Sequence, residues 1–304
     1  MKRFYLISLA LVALASAACG PKYANKAEKV VAELHNPNSR YVVVVAHRGD
    51  WRNYPENSIP AIESIIRMGV DVMELDLKMT SDSVLVLSHD GTCNRTTTGK
   101  GPISTMTLDS LKGFNLRTAH GVKTPYKMPT LREALEVCKD RIVVNIDQGY
   151  QFYDQVLAIT EELGVTDQIL IKGKKMLSDV NAKMAEYEHN MMYMPIIDIL
   201  TPKGANLFDQ YMEAGEVPLA YEVCFNELND AVRDCCKKVI DSGSKLWVNT
   251  LWASLNGGYD DDAAFEAEDP GEIYDVILGL GTSIIQTDRP ELLIKYLEKK
   301  GRRK

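Results

Sequence analysis

The chain has 304 residues, 45% of them hydrophobic, and a formal net charge of −7. That length can bury a large core, in one domain or two. The acidic balance argues against a nucleic-acid partner, and an anionic substrate would have to be attracted by a metal or by local Arg and Lys, because the overall field does not draw it.

Residues 1–18 read as an export signal. Lys2 and Arg3 precede an apolar run over 4–15 and then small residues, and the run is too short to span a bilayer. Ala15-Ser16-Ala17 suits an ordinary signal peptidase. Ser16-Ala17-Ala18-Cys19 resembles a bacterial lipoprotein box, which would make Cys19 the lipidated first mature residue. The second reading is preferred because it explains a Cys-Gly directly after small residues. It makes the chain an exported lipoprotein, periplasmic or associated with an outer membrane, whose only membrane link is that anchor. Residues 19–40 follow as a polar tether and lead-in, with one helical turn or two at most.

The run over 41–46 is apolar and β-branched, as in a strand buried on both faces, and His47, Arg48 and Gly49 lie just past its end. Asn57 and Ser58 cap a helix with Ile59, Ile62, Ile65 and Ile66 on one stripe, and Gly69 ends it. Residues 71–77 are a second strand. Glu74 and Asp76, two apart, project from the same face. Side-by-side carboxylates repel unless a cation lies between them, and oxygen ligands suit Mg²⁺ or Ca²⁺. Thr-Ser-Asp-Ser over 80–83 has turn chemistry and 84–88 reads as the returning strand. A reversal at Ser81–Asp82 makes opposed residue numbers sum to about 163, so that His89 faces Glu74.

Residues 91–129 are rich in Thr, Gly and Lys without a strong period, which suits a functional insertion or lid. Thr130 and Glu133 form a capping box for the next helix. Strand patterns recur at 141–147, 168–172, 192–198, 219–224, 245–250 and 283–287, with helical segments such as 153–163 and 228–242 between them. Eight alternating units imply a closed parallel (β/α)8 TIM barrel, an α/β fold, over 41–298 as one domain. Such barrels carry their chemistry at the C-terminal strand ends, where His47, Asp147, Lys172, Asp198 and Asn249 fall. The run Asp260-Asp261-Asp262 reads as a solvated loop. Six cysteines are present; setting Cys19 aside leaves an odd number without a CxxC pair, so neither zinc nor a full disulfide framework is indicated, and Cys138 and Cys224 read as buried thiols.

Several of these stretches, taken in order, resemble the glycerophosphodiester phosphodiesterase family. The motifs are His47-Arg48-Gly49, Pro55-Glu56-Asn57-Ser58, Glu74-Leu75-Asp76, His89-Asp90, the Asn94–Leu116 segment and Thr287-Asp288-Arg289-Pro290. The resemblance implies hydrolysis of a glycerophosphodiester to sn-glycerol 3-phosphate and an alcohol. His47 and His89 would share the acid and base roles, and one divalent metal, Ca²⁺ or Mg²⁺, would be held by Glu74, Asp76 and Asp147. Asp147 takes the place of the family's usual glutamate, and Gly149 stands where the family has a lysine. Lys172, one strand on, is the candidate to replace that cation. Arg48 would grip the phosphate, Trp247 would contact the alcohol, and Glu56 and Asn57 would support the metal site or merely open a helix. For Lys172 an exposed strand-end lysine, and for Trp247 a core residue, are the bland alternatives. A phospholipase D-like action on intact lipids and a non-catalytic phosphodiester-binding lipoprotein are the competing functions. The headgroup and the oligomeric state are open.

Overall fold

The protein is described here from a computed structural model over residues 23–303. The export signal and the Cys19 lipidation site lie outside the described residues. Eight parallel strands close on one another: β1 (Val43–Ala46), β2 (Val72–Met79), β4 (Val143–Asp147), β5 (Ile169–Gly173), β6 (Met192–Asp198), β7 (Ala220–Cys224), β8 (Lys245–Asn249) and β9 (Ile284–Thr287). Each pairs with its neighbour, and β1 pairs with both β2 and β9, which closes the cylinder. The fold is a TIM barrel. β3 (Leu85–Leu87) is the antiparallel return onto β2. Its register is one residue from expectation: Leu77 pairs with Leu87, so continuing the ladder sets His89 opposite Leu75 instead of Glu74.

Side-chain alternation sorts the strands into two layers. One face, with Val42, Val44, Met73, Leu75, Val144 and Ile146, packs against the outer helices. The other face turns inward, and its lower rung is apolar: Val43, Val45, Val72, Val143, Leu170, Met194, Ala220, Trp247 and Ile284. The helix α1 (Lys26–His35) joins that cluster through Ala27, Val30 and Leu34. It plugs the bottom of the barrel. The lead-in is therefore a full ten-residue helix, longer than the one or two turns expected, because a moderately polar sequence still carries three apolar residues on one face.

α2 (Ile59–Met68) starts and stops as its sequence dictates. The Ser58 hydroxyl accepts from the Ala61 amide, and Gly69 closes the helix at φ 86°. Thr130 and Glu133 make the expected capping box of α4 (Leu131–Cys138). The insertion over 91–129 is ordered around a small core of its own, Cys93, Ile103, Leu111, Leu116 and Met128 packed on Val86. It includes the short helix α3 (Leu108–Gly113). Cys93, Cys138, Cys224, Cys235 and Cys236 are all buried free thiols. Among the described residues no helix is long and apolar enough to cross a membrane.

The acidic run departs from expectation. Asp260 caps a short helix (Asp261–Glu266), and Asp261 is 1% exposed. Its carboxylate accepts from the hydroxyls of Thr250 (2.8 Å), Thr287 (2.8 Å) and Tyr274 (3.0 Å) and from the amide of Asp288 (2.7 Å). Burial pushes its pKa up to about 7, against the pull of these donors. Composition could not reveal that one acid of three turns inward to bind strand ends distant in sequence.

Candidate active site

The parallel register puts the acidic residues together. Glu74 pairs with Asn145, and Asp76 with Asp147, across β2 and β4. These residues face the barrel interior, one rung above the apolar floor. Glu74, Asp76 and Asp147 each offer an oxygen within 4.8 Å of the others. With His47, Arg48, His89 and Lys172 they line one cavity of about 240 Å³ at the C-terminal strand ends. Both histidines thus open on the space above the carboxylates, as the sequence motifs require.

The turn after β1 builds one wall. Arg48 has φ 53° and Gly49 φ 76°. A Cβ on Gly49 would stand 3.0 Å from the Ala61 Cβ, so both its backbone and its space demand glycine. This turn aims the Arg48 amide at Glu74, 2.9 Å away. Asn57, also left-handed at φ 52°, donates to Asp76 (2.9 Å) and receives the Asp76 amide (3.3 Å). Two uncommon non-glycine backbones thus support the two carboxylates, a local cost that sits at the site.

His47 is 7% exposed. Its Nδ1 lies 2.8 Å from Asp288, whose same oxygen receives the Trp51 indole N–H at 2.6 Å. A carboxylate on Nδ1 keeps the proton there and leaves Nε2 as the free lone pair. Asp288 is in turn held through its amide by Asp261. His89 is more open, and its Nδ1 meets Asp90 at 2.9 Å. Arg95, from the insertion, binds both Asp90 and Glu56 at 2.9 Å. The Arg95 guanidinium and the neighbouring His89 hold the Asp90 carboxyl far below its usual range, though its partial burial opposes them. For Glu56 burial raises the pKa, yet Arg95 and Arg48 outweigh it and the net shift is downward. Glu56 is therefore a brace between two arginines, which engage both its oxygens.

The substrate role expected for Trp247 needs correction, and for Lys172 the exposed alternative falls away. Trp247 is fully buried in the apolar floor, with its N–H on Asn249 at 2.7 Å. It does not line the cavity, because inward alternation sets it one rung below the polar layer. Lys172 is not an exposed strand-end residue. It is 2% exposed, 2.8 Å from Glu222, 3.3 Å from Asp147 and 5.3 Å from the Trp247 ring centroid. It neutralises the acidic cluster from below. Gly149 cannot take up the lysine's role at its own position: a Cβ there would come within 2.7 Å of the Ile146 side chain.

The residues present fit a divalent cation. Glu74 and Asp76 each spend one oxygen on a protein donor and keep the other without one. Oxygens bound to a single ion at about 2.0–2.6 Å stand at most about 5 Å apart, which matches the cluster. Five carboxylates, Glu74, Asp76, Asp147, Asp198 and Glu222, line the cavity with three cations, Arg48, Lys172 and Lys174; Lys174 pairs with Asp198, so full ionisation leaves two negative charges to balance. Burial, and after it the Asp76 charge, push Glu74 well above the ordinary carboxylate range. Burial acts the same way on Asp147, but Lys172 beside it prevails and the net shift is downward.

Sequence motifs missed Asp288 as the partner of His47 and Asp261 behind it. They also missed Glu222 and Gln286, which hold Lys172. Asp288 was visible in the closing Thr-Asp-Arg-Pro motif, but its role needed the β9–β1 pairing.

Residues 47–199 match the glycerophosphoryl diester phosphodiesterase family, and 193–297 match a domain of unknown function. A glycerophosphodiester phosphodiesterase of Caldanaerobacter subterraneus is 29% identical over 85% of this chain and 99% of its own length. Human glycerophosphodiester phosphodiesterase 1 is 37% identical over 35% of this chain, a match that spans 33% of the human protein. A crystal structure of a glycerophosphoryl diester phosphodiesterase from Parabacteroides distasonis superposes with a TM-score of 0.73 at 21% identity, covering 90% of this chain and 92% of that one. An Oleispira antarctica phosphodiesterase solved with the product sn-glycerol-3-phosphate gives a TM-score of 0.62 at 17% identity, covering 84% and 96%.

Proposed function

The chain belongs to the glycerophosphoryl diester phosphodiesterase family, and from that premise we propose that it hydrolyses glycerophosphodiesters to sn-glycerol 3-phosphate and an alcohol by histidine acid–base chemistry. The observation that carries this reading is the meeting of two imidazoles over one three-carboxylate cluster. Glu74, Asp76 and Asp147 would hold a divalent ion, Ca²⁺ or Mg²⁺, which supplies charge neutralisation at the phosphate when bound.

The chain's own residues do the rest. Arg48 lies at the mouth of the acidic cluster and presents its guanidinium to a non-bridging phosphate oxygen. One histidine removes the proton of the attacking hydroxyl or water, and the other protonates the departing alkoxide. Asp288 and Asp90 hold the two rings by their Nδ1 atoms, which leaves both Nε2 atoms available to the substrate. Lys172 keeps Asp147 ionised from below. The polar insertion wall around Arg95, Thr96 and Arg117 favours a water-soluble diester over an intact lipid. Export with a Cys19 anchor belongs to the same proposal and rests on the leader sequence alone.

The test is a phosphodiesterase assay on glycerophosphocholine and bis(p-nitrophenyl) phosphate. The expected result is activity that EDTA abolishes and that His47→Ala lowers by about 10²- to 10⁴-fold. Full activity in His47→Ala would remove the histidine mechanism, and full activity in EDTA would remove the metal.

A further inference from the structure

Beside the acidic cluster lies a larger compartment of about 630 Å³ that shares His47 and Arg48 with it. The smaller space holds the carboxylates that would bind the divalent ion, and with that ion it takes the phosphate, which leaves the larger one for the bulkier arm of a diester. Its walls are Trp51 and Trp252 on the barrel side and Arg95 and residues 117–121 on the insertion side.

The charges of this compartment are unevenly spent. Its two carboxylates are both engaged: Glu56 by Arg48 (3.3 Å) and Arg95 (2.9 Å), and Asp288 by His47 and Trp51. Arg48 is shared with Asp76, and Arg95 with Asp90. Arg117 differs. Its Nε donates to the Thr97 carbonyl at 2.9 Å and one terminal nitrogen donates to the Gly121 carbonyl at 2.8 Å. It has no carboxylate partner among the described residues. Two backbone carbonyls therefore hold a guanidinium in place without cancelling its charge, so little side-chain entropy remains to be lost on binding. Trp252, 45% exposed, adds an apolar face, and its ring centroid is 5.8 Å from that of His47. The other indole, Trp51, already has the Arg52 guanidinium 4.7 Å from its ring centroid, and with neither carboxylate free a quaternary ammonium finds no counter-charge here.

We infer that this compartment receives the leaving alcohol and selects one that carries a phosphate or carboxylate, with Arg117 as the specificity-determining residue. The inference rests on the phosphodiesterase reading above. A charge-assisted contact to a fixed guanidinium corresponds to about ten- to a hundredfold in kcat/KM.

The experiment compares three substrates: glycerophosphocholine, glycerophosphoglycerol, and glycerophosphoglycerol bearing a terminal phosphate. Wild type is expected to prefer the terminal phosphate over choline by that factor, with plain glycerol between them. Arg117→Gln is expected to cut the preference at least tenfold, by lowering kcat/KM for the terminal phosphate far more than for choline. In wild type alone, raising salt from about 0.05 M to about 0.5 M is expected to erode the preference, which keeps the test decisive if the variant does not fold. Choline turned over as well as the terminal phosphate, a preference unmoved by Arg117→Gln, or one insensitive to salt each overturns the inference. Failure to hydrolyse any of the three overturns the phosphodiesterase reading itself, an outcome distinct from the others.

Discussion

The same strand carries buried acid at both ends of the barrel, and the two ends are solved in opposite ways. At the bottom, just before β2, Asp71 is 1% exposed and fully satisfied. It accepts from the Val44 amide (2.9 Å) and the Tyr41 hydroxyl (2.9 Å) and pairs with Arg303, whose second nitrogen lies 3.0 Å away. At the top, Glu74 and Asp76 are almost as buried but share Arg48 and Lys172 with Glu56, Asp147 and Glu222 and keep unbonded oxygens. One carboxylate with its own arginine is a structural clamp. Several carboxylates with too few cations form a site waiting for a ligand, because a buried charge without compensation is costly. Burial alone therefore does not separate structural acids from functional ones. The local charge balance does.

The largest effect that would break this comparison is at the bottom. Asp71→Asn leaves Arg303 buried beside a neutral partner, and chemical denaturation is expected to show a loss of about 3–5 kcal/mol. Activity per folded molecule should stay unchanged, and a drop would mean the bottom clamp is coupled to the site. Glu74→Gln is the mirror experiment. It removes a repelling charge, so stability in EDTA is expected to hold or rise, while kcat/KM falls by about 10²- to 10³-fold. A destabilised Glu74→Gln would erase the distinction between the ends. The smallest effect concerns Asp261, which lies at the top but has the hydrogen bonds of a clamp. Its folded pKa of about 7 stands above the ordinary 3.8, so the folded state holds a proton that the unfolded state has released. Its contribution is complete below about pH 4, declines by at most about 1.4 kcal/mol per pH unit, and is gone above about pH 7. Asp261→Asn is expected to flatten that limb of the stability profile; an unaltered limb assigns it to another group.

The strands of the barrel were legible because a both-faces-buried strand leaves an unbroken β-branched run, as at 41–46, and because Gly69 and Thr130 mark helix ends locally. The pair Glu74 and Asp76 was legible from period two. The hairpin was read one residue out of register, since turn residues 80–83 allow more than one pairing and Ser83 takes a positive φ of 63° that the sequence does not announce. Trp247 was misread because inward position is visible from alternation but depth along the barrel axis is not. Lys172, Glu222 and Gln286 meet only after the barrel closes, and Asp261 meets Asp288 only across β8 and β9. No local pattern encodes such contacts.

The most direct measurement is divalent-cation binding, followed by calorimetry and by thermal shift with Ca²⁺ and Mg²⁺, in wild type, Asp71→Asn and Glu74→Gln. Wild type and Asp71→Asn are expected to bind one ion and gain stability with its concentration, while Glu74→Gln loses most of that gain. Equal binding by all three proteins, or none by wild type, would contradict the claim that the upper carboxylates form an under-compensated cation site.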